Sequence, residues 1–505
     1  MKSESNPSFI SLTLNPEPGN LSIITMKLSI IMPAYNERYT IRECVKRVFE
    51  ANLPENVSRE LIIVDDHSDD GTWEIIQDLA VSYENIKILR QDVNQGKGMA
   101  IKRAVDEISG DMVLIQDADL EYNPNDYYKL IKPILNGDAD VVYGSRFGYS
   151  DKRRVLYFRH ELGNRFLTFL SNWFTDLNLT DMETGYKVFR ASILKSLPLR
   201  SKRFGFEPEI TAKISKRNLR IFEVPISYSG RTYREGKKIT WRDGLIAIWV
   251  ILRFWLIDDL YKEEDKKILF AMSNTHHFNK WLASRLRPYL GNNVLEIGAG
   301  IGTMTLEFLP TDHYTCSDTD PLHIMTLKNM FMNRPNVDVL KLNIGGTEEI
   351  RAVDRRYDTI LCLNVLEHLQ NDDQALKNIS ELLVKGGKLI LVVPNCPNLY
   401  NSLDRTLGHV RRYRVKDVHN LLTSSGFKIT YLKTFNKVSI LGWFINGTLL
   451  KRTRFSKVQL KIYDCFVWFW KLIDPFLPWP GQSIIAVAEK LPNEGDFLHA
   501  KAHPV

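Results

Sequence analysis

Three groups of acidic residues stand where short apolar runs end. They are Glu37 in LSIIMPAYNE (Leu28–Glu37), Asp65 and Asp66 in LIIVDDHSDDGT (Leu61–Thr72), and Asp117 and Asp119 in VLIQDADLEY (Val113–Tyr122). Gathered carboxylates repel a diphosphate unless a hard divalent cation stands between them. Mg2+ or Mn2+ does this, bridging carboxylate and phosphate oxygens. Asp117 and Asp119 are the expected ligands. A DxD triplet alone carries little weight, because Asp138/Asp140 and Asp318/Asp320 have the same spacing. Only the first triplet joins a strand end to the two other acidic loops.

A second signature lies past the middle, in NVLEIGAGIG (Asn293–Gly302). It reads as a strand running into a glycine-rich turn, where bare backbone can approach a ligand closely. Glu296 precedes the glycines, and no lysine of the phosphate-loop type follows, which excludes a P-loop. Asp318 ends the next strand, where a carboxylate can accept hydrogen bonds from both hydroxyls of a ribose. The chemistry indicated is binding of an adenosyl cofactor.

The elements that position these residues follow from apolar periodicity. Leu28–Met32, Leu61–Val64, Ile86–Leu89, Met112–Ile115, Val141–Tyr143 and Leu219–Val224 read as strands. Tyr39–Ala51, Thr72–Ser82 and Gly98–Glu107 read as helices between them. Alternation of this kind predicts a parallel sheet covered on both faces. A second series predicts strands at Val294–Ile297, Tyr314–Ser317, Val337–Leu342, Thr359–Leu363, Lys388–Val393, Lys428–Leu432 and Ser483–Ala488. Open α/β sheets bind ligands at the carboxyl ends of their strands, which is where the acidic and glycine loops fall.

Length and composition agree with two domains. A chain of 505 residues exceeds what one core supports. With 44% hydrophobic and 25% charged residues it reads as ordinary globular protein. The net charge of +7 suits contact with phosphates or an anionic membrane surface, and no basic block with interleaved aromatics argues for nucleic acid. Five scattered cysteines without a CxxC pair argue against a disulfide framework or a zinc site and for a reducing, cytoplasmic setting.

The expected organisation is a disordered leader over 1–26, with Met26 rather than Met1 as the start; a first catalytic domain over 27–257; a helical linker over 258–280, inside a continuing helix; a second domain over 281–490; and a tail over 491–505. The run 238–257 is an apolar, aromatic helix, either a packing helix or one lying in a membrane interface. An aromatic insertion at 433–480 either covers a site or meets lipid.

Residues 28 to about 250 resemble the family 2 glycosyltransferases of GT-A fold, a Rossmann-like fold for nucleotide-diphospho-sugars, and most of all the dolichol-phosphate mannosyltransferases and related polyprenyl-phosphate enzymes. The motifs run in order: MPAYNE, IIVDDHSDDGT, NQGKGMAIKRA, IQDADLEYNP, VVYGSRF, METGYKVFR, GFEPEITAK and SGRTYREGKK. The resemblance implies that Pro33, Ala34, Tyr35, Glu37, Val64 and Asp66 hold the base and ribose of a nucleotide sugar. Asp117, Ala118 and Asp119 would face the metal and diphosphate. Lys97, Arg146, Arg231 and Lys237 would reach phosphates, as guanidinium forks do well. Pro33 and Tyr35 could instead shape a turn, and Lys97 could be a surface charge. A hydroxyl acceptor needs a base, and Asp181 or Glu183 in DMETGYK would serve. A polyprenyl phosphate needs none.

Residues from about 270 to 490 resemble class I S-adenosylmethionine-dependent methyltransferases, also Rossmann-like, on VLEIGAGIG, CSDTDP, YDTILCLNVLEHLQNDDQAL, LVKGGKLILVVP and GHVRRYRVKDVHNLLTSSGF. The resemblance implies that Glu296, Gly298 and Gly300 line the methionine end of the cofactor and that Asp318 binds ribose. Asn343, where relatives often have Asp, would contact adenine, and Asn364 would sit beside the transferred methyl. His368 and His409 are the candidate bases or else structural hydrogen-bonders. Arg411, Arg412 and Tyr413 would bind an acceptor or form an exposed face.

Together these readings predict a bifunctional enzyme. It would move a hexose, with inversion, from a GDP-mannose- or UDP-glucose-type donor to a polyprenyl phosphate or glycan, and O-methylate a product of the same pathway. Peripheral contact with the cytoplasmic membrane face goes with a lipid-borne acceptor. The alternative is one active half and one degenerate binding module. A nucleic-acid methyltransferase is disfavoured, because Asn364-Val365-Leu366-Glu367 replaces the usual amino-methylating motif.

Overall fold

Residues 25–148, 158–217, 219–231 and 241–491 are described in the computed structural model. The leader up to residue 24, the tail from 492 and Lys237 lie outside the described residues. Two compact units divide between Ile251 and Leu252, with Ser196–Pro198 and Thr211–Arg220 grouped with the second.

The first unit holds strands β1 (Met26–Ala34), β2 (Val57–Asp65), β3 (Ile86–Arg90), β4 (Met112–Ile115), β5 (Val141–Ser145), β6 (Lys187–Arg190) and β7 (Ile221–Pro225). Their order across the sheet is β3-β2-β1-β4-β6-β5-β7. Leu28, Ile30, Ile31 and Met32 of β1 are fully buried, as are Leu61 to Val64 of β2. Side chains on both strand faces are therefore in the core, as a doubly covered sheet requires. In register, Pro33 pairs with Val64 and Ala34 with Asp65, so the first two acidic loops leave the sheet side by side.

One expectation fails here. The sheet is mixed rather than parallel, because β6 runs antiparallel to both β4 and β5. β6 is only four residues long and opens on a lysine, so it has no apolar run to announce it. The Lys187 ammonium is buried, donates to the carbonyls of Met182 and Thr184, and sits over the Tyr143 ring.

The second unit holds β8 (Asn293–Ile297), β9 (His313–Asp318), β10 (Val337–Lys341), β11 (Tyr357–Leu363), β12 (Leu383–Pro394), β13 (Phe427–Phe435) and β14 (Ser483–Lys490), in the order β10-β9-β8-β11-β12-β14-β13. Only β14 runs against its neighbours, β12 and β13. The insertion between β13 and β14 is helical. Its Asp464 accepts from the Phe278 backbone N–H at 2.9 Å, at the first turn of helix His276–Leu286.

The linker is also not one continuing helix. Helix Trp241–Leu256 stops, and helices Glu264–Ser273 and His276–Leu286 begin afresh. The stop has a cause: the Lys216 ammonium donates to the carbonyls of Phe254, Trp255 and Ile257 and to Asp258, satisfying orphan groups at the helix end. Among the described residues no helix is long and apolar enough to cross a membrane.

Candidate functional sites

In the first unit, the ends of β1, β2 and β4 bring Glu37, Asp66, Asp117 and Asp119 to one sheet edge. Arg231 ties the cluster together. Its guanidinium lies 2.7 Å from Asp119 and 3.4 Å from both Glu37 and Glu121, and its backbone N–H donates to Glu121. Burial pushes the Asp119 carboxyl above its ordinary range, and the charges of Asp117 and Glu121 push it further. A divalent cation would relieve that repulsion, and all-oxygen donors suit Mg2+ or Mn2+. The residues present therefore fit the expected metal.

Lys97 is not a surface charge. It bridges Asp117 at 2.8 Å and Glu207 at 2.9 Å. Burial alone would lower its pKa, but the two carboxylates outweigh burial and raise it. Gly185 makes room for this arrangement, since a Cβ there would lie 2.4 Å from an Asp117 oxygen. Asp66 is largely occupied within the chain. It accepts from Gln91, from the Gln95 N–H and from the Gly96 N–H at 2.6–2.8 Å, holding the loop that carries Lys97. Ala34, Val64 and Ala118 are buried, so only their backbones face the crevice.

Asp181 and Glu183 have different environments. Asp181 is locked to Arg146 by two 2.7 Å contacts and accepts the Arg146 backbone N–H as well, with both residues buried. That pair removes Asp181 as a base and turns Arg146 inward, against the roles expected of both. Glu183 is free of such a partner: one of its oxygens is buried without a hydrogen bond. Burial raises its pKa, and the Glu207 charge adds to the rise. Neither of the other two DxD triplets joins this crevice. Asp140 pairs with Arg190, and Asp320 caps helix Pro321–Phe331.

In the second unit, Gly298, Gly300 and Gly302 all have positive φ, from 58° to 81°. A Cβ on Gly298 would lie 2.4 Å from Val365. The turn is thus glycine-specific and leaves bare backbone at the end of β8, which fits an adenosyl cofactor. The Gly300 N–H donates to Asp318 at 2.8 Å, and Asp318 also accepts from the Asp320 N–H and faces His323. These contacts outweigh burial and hold Asp318 below the ordinary carboxylate range.

Glu296 is buried and engaged within the chain. It accepts from Thr305 at 2.5 Å and Tyr314 at 2.9 Å, and burial raises it to about 7. Asn343 shapes a turn, accepting from the Gly345 N–H. Asn364 adopts φ +54° at the end of β11, a strained conformation of the kind that collects at functional sites.

His368 and His409 come together, with ring centroids 4.9 Å apart. His409 Nδ1 lies 2.8 Å from Asp404, and its Nε2 faces Glu367 at 3.9 Å. Arg412 is buried and pairs with Asp404 at 2.8 Å, while Arg411 and Tyr413 both contact Asp372. These three residues therefore brace the site from within and are not the acceptor surface expected of them. Glu367 and Asp404 join the site without having been expected. Glu367 follows the apolar pair Val365-Leu366 in NVLEHL, and only the i+5 spacing of Asp404 and His409 hinted at a pair.

Comparison with known proteins finds a transferase family in each half of the chain. Glycosyl transferase family 2 matches residues 29–197, and a methyltransferase domain family matches residues 295–389. The chain is thus built from two transferase domains. A UDP-N-acetylglucosamine–dolichyl-phosphate N-acetylglucosaminyltransferase of Methanococcus voltae is 32% identical over 215 residues, covering 39% of this chain and 83% of that protein. The chain accordingly belongs to glycosyl transferase family 2, through its first half.

A dolichol-phosphate mannosyltransferase of Pyrococcus furiosus is 30% identical over 214 residues, 42% of this chain; the match spans 59% of that relative's length. Among solved structures, glucosyl-3-phosphoglycerate synthase of Mycobacterium tuberculosis with Mn2+, UDP and phosphoglyceric acid is 21% identical. It covers 46% of this chain and 79% of its own, at a TM-score of 0.37, too low to carry an argument.

Proposed function

We propose that the first unit transfers a hexose from a nucleotide sugar to a polyprenyl phosphate, and that the second methylates an oxygen on a product of the same pathway. The observation that carries the sugar-transfer reading is the convergence of Glu37, Asp117, Asp119 and Arg231 on one strand edge. Asp117 and Asp119 would hold Mg2+ or Mn2+, which when bound offsets charge on the nucleotide diphosphate leaving group. Arg231 is placed to exchange a carboxylate partner for a phosphate, since its fork suits either. The two relatives named for dolichol-phosphate substrates support a lipid-borne acceptor. Helix Phe158–Thr175 adds to this by exposing Phe158, Leu162, Phe166, Phe169 and Trp173. Such a stripe suits peripheral contact with a membrane face.

For the second unit, the glycine turn and Asp318 would hold S-adenosylmethionine, whose sulfonium supplies an already activated methyl. The chain's own task is then alignment of the acceptor beside Asn364. Glu183 favours a second reading for the first unit. A buried carboxylate with a raised pKa suits a base, and a base is needed only if the acceptor is a hydroxyl.

The test is incubation of the full chain with a panel of nucleotide sugars, polyprenyl phosphate, hydroxyl acceptors and labelled methyl donor, read by mass spectrometry. Asp119→Asn is expected to lose on the order of 10^3-fold in sugar transfer and to keep methyl transfer. Undiminished sugar transfer in that variant overturns the metal assignment.

A further inference from the structure

We propose that Glu367, His368 and His409 form a second divalent-cation site, separate from the carboxylate crevice of the first unit. One ligand-type atom from each of the three residues lies within 4.8 Å of the others. Two imidazoles and one carboxylate are a donor set suited to borderline first-row cations from Mn2+ to Zn2+, which a small closing of the side chains would bring within bonding reach of one ion.

The strongest support is Glu367. Its side chain is 0% exposed, yet neither carboxylate oxygen accepts a hydrogen bond. A bare buried carboxylate is costly, and native proteins rarely leave one uncompensated. His409 Nε2 lies 3.9 Å from one of those oxygens, too far for a hydrogen bond. Two metal–ligand bonds of about 2.1 Å each span up to about 4.2 Å, so a cation fits between the two atoms.

The surroundings match how metal-binding imidazoles are held. Asp404 accepts from His409 Nδ1 at 2.8 Å, which puts the ring proton there and turns the Nε2 lone pair toward Glu367. Asp404 is in turn fixed by Arg412 at 2.8 Å, by the Asn401 N–H at 3.0 Å and by the Trp443 indole N–H at 3.2 Å. An ion pair between His409 and Glu367 would not need this second carboxylate to orient the ring. His368 is the exposed member of the set, and its ring lies against the backbone carbonyls of Gly408 and Asn364, one of which it gives up to ligate a cation. The location adjoins the proposed cofactor turn, because Val365, two residues before Glu367, lies against Gly298.

The experiment uses the untagged full chain carrying Asp117→Asn and Asp119→Asn, which silences the first crevice. After chelator treatment, Co2+ is titrated and its visible ligand-field bands are recorded. One equivalent of Co2+ is expected to bind with bands shaped by imidazole. His409→Ala and Glu367→Gln are expected to abolish stoichiometric binding, and Asp404→Asn, which touches no cation, to weaken it about tenfold. Absence of stoichiometric binding, or binding unchanged in His409→Ala, overturns the site. S-adenosylmethionine binding, measured by calorimetry, confirms that each variant is folded. If His409→Ala fails that check, His368→Gln on the exposed ligand decides, with the same two outcomes. Co2+ bound in a chain that never binds S-adenosylmethionine would refute the methyl-transfer reading and leave the cation site standing.

Discussion

The two crevices treat negative charge in opposite ways. In the first unit three acidic groups have a cation supplied by the chain: Arg231 for Asp119, Lys97 for Asp117 and Arg146 for Asp181. In the second, Glu367 has none, and Glu296 has only hydroxyl partners. Burial pushes both of these carboxyls upward, Glu367 to about 8 and Glu296 to about 7. The contrast fits the ligands. A crevice proposed for a metal and a diphosphate must exchange charge with an anionic ligand, and Arg231 and Lys97 stand beside the carboxylates to do so. The crevice proposed for a sulfonium cofactor leaves Glu367 and Glu296 without such a cation, with the buried Arg412 taken up by Asp404.

The comparison breaks first at Glu183, the acid of the first unit that has no guanidinium partner. If it is the base for a hydroxyl acceptor, Glu183→Gln loses roughly 10^2–10^4-fold in transfer to hydroxyls. Transfer to a polyprenyl phosphate should change less than about threefold, since that acceptor needs no base. The pH profile gives the sign. A base works deprotonated, and burial raises Glu183, so kcat/KM for the hydroxyl acceptor should climb with pH through the near-neutral range. Equal losses for both acceptors would make Glu183 structural.

In the second unit the corresponding break is Gly298→Ala. The new Cβ meets Val365 at 2.4 Å, and the residue must hold φ +69°. Left-handed backbone costs an alanine about 1–2 kcal/mol, and the displaced Val365 adds to it. S-adenosylmethionine binding should weaken about 10–100-fold, from that strain at 1.4 kcal/mol per decade, while sugar transfer stays level. Calorimetric titration reads the first, and unchanged cofactor affinity would detach the glycine turn from cofactor binding.

Much of this was legible from the chain. Strand ends carrying Glu37, Asp66, Asp117 and Asp318 were visible because buried β-branched runs stop abruptly at acids. What stayed hidden depends on partners distant in sequence. Asp181 looked like a base until Arg146, 35 positions away, closed on it. Arg412 looked exposed in a run of arginines, yet it is buried on Asp404. β6 was invisible because its Lys187 is neutralised by carbonyls and an aromatic face that no local pattern announces. Charged residues read as solvent-facing by default, and both units break that default where their chemistry lies.

The smallest effect tests whether Glu296 is buried neutral. Burial comes first among the causes of its rise to about 7, with the charge of Asp318 adding, against hydrogen bonds from Thr305 and Tyr314. A carboxyl raised in the folded state binds its proton more tightly there than in the unfolded chain. Folding therefore bears no cost below about pH 4.5, loses stability as pH rises to about 7, and levels off above, with a total of up to about 3 kcal/mol. Glu296→Gln keeps an oxygen for Thr305 and Tyr314 and removes the charge. Amide exchange in β8 should thus be slower in the variant than in the parent at pH 8, with the two converging near pH 4.5 once exchange is corrected for its intrinsic pH dependence. A variant that exchanges faster at pH 8 would mean that the ionised Glu296 stabilises the fold through Thr305 and Tyr314 and that burial does not raise its pKa.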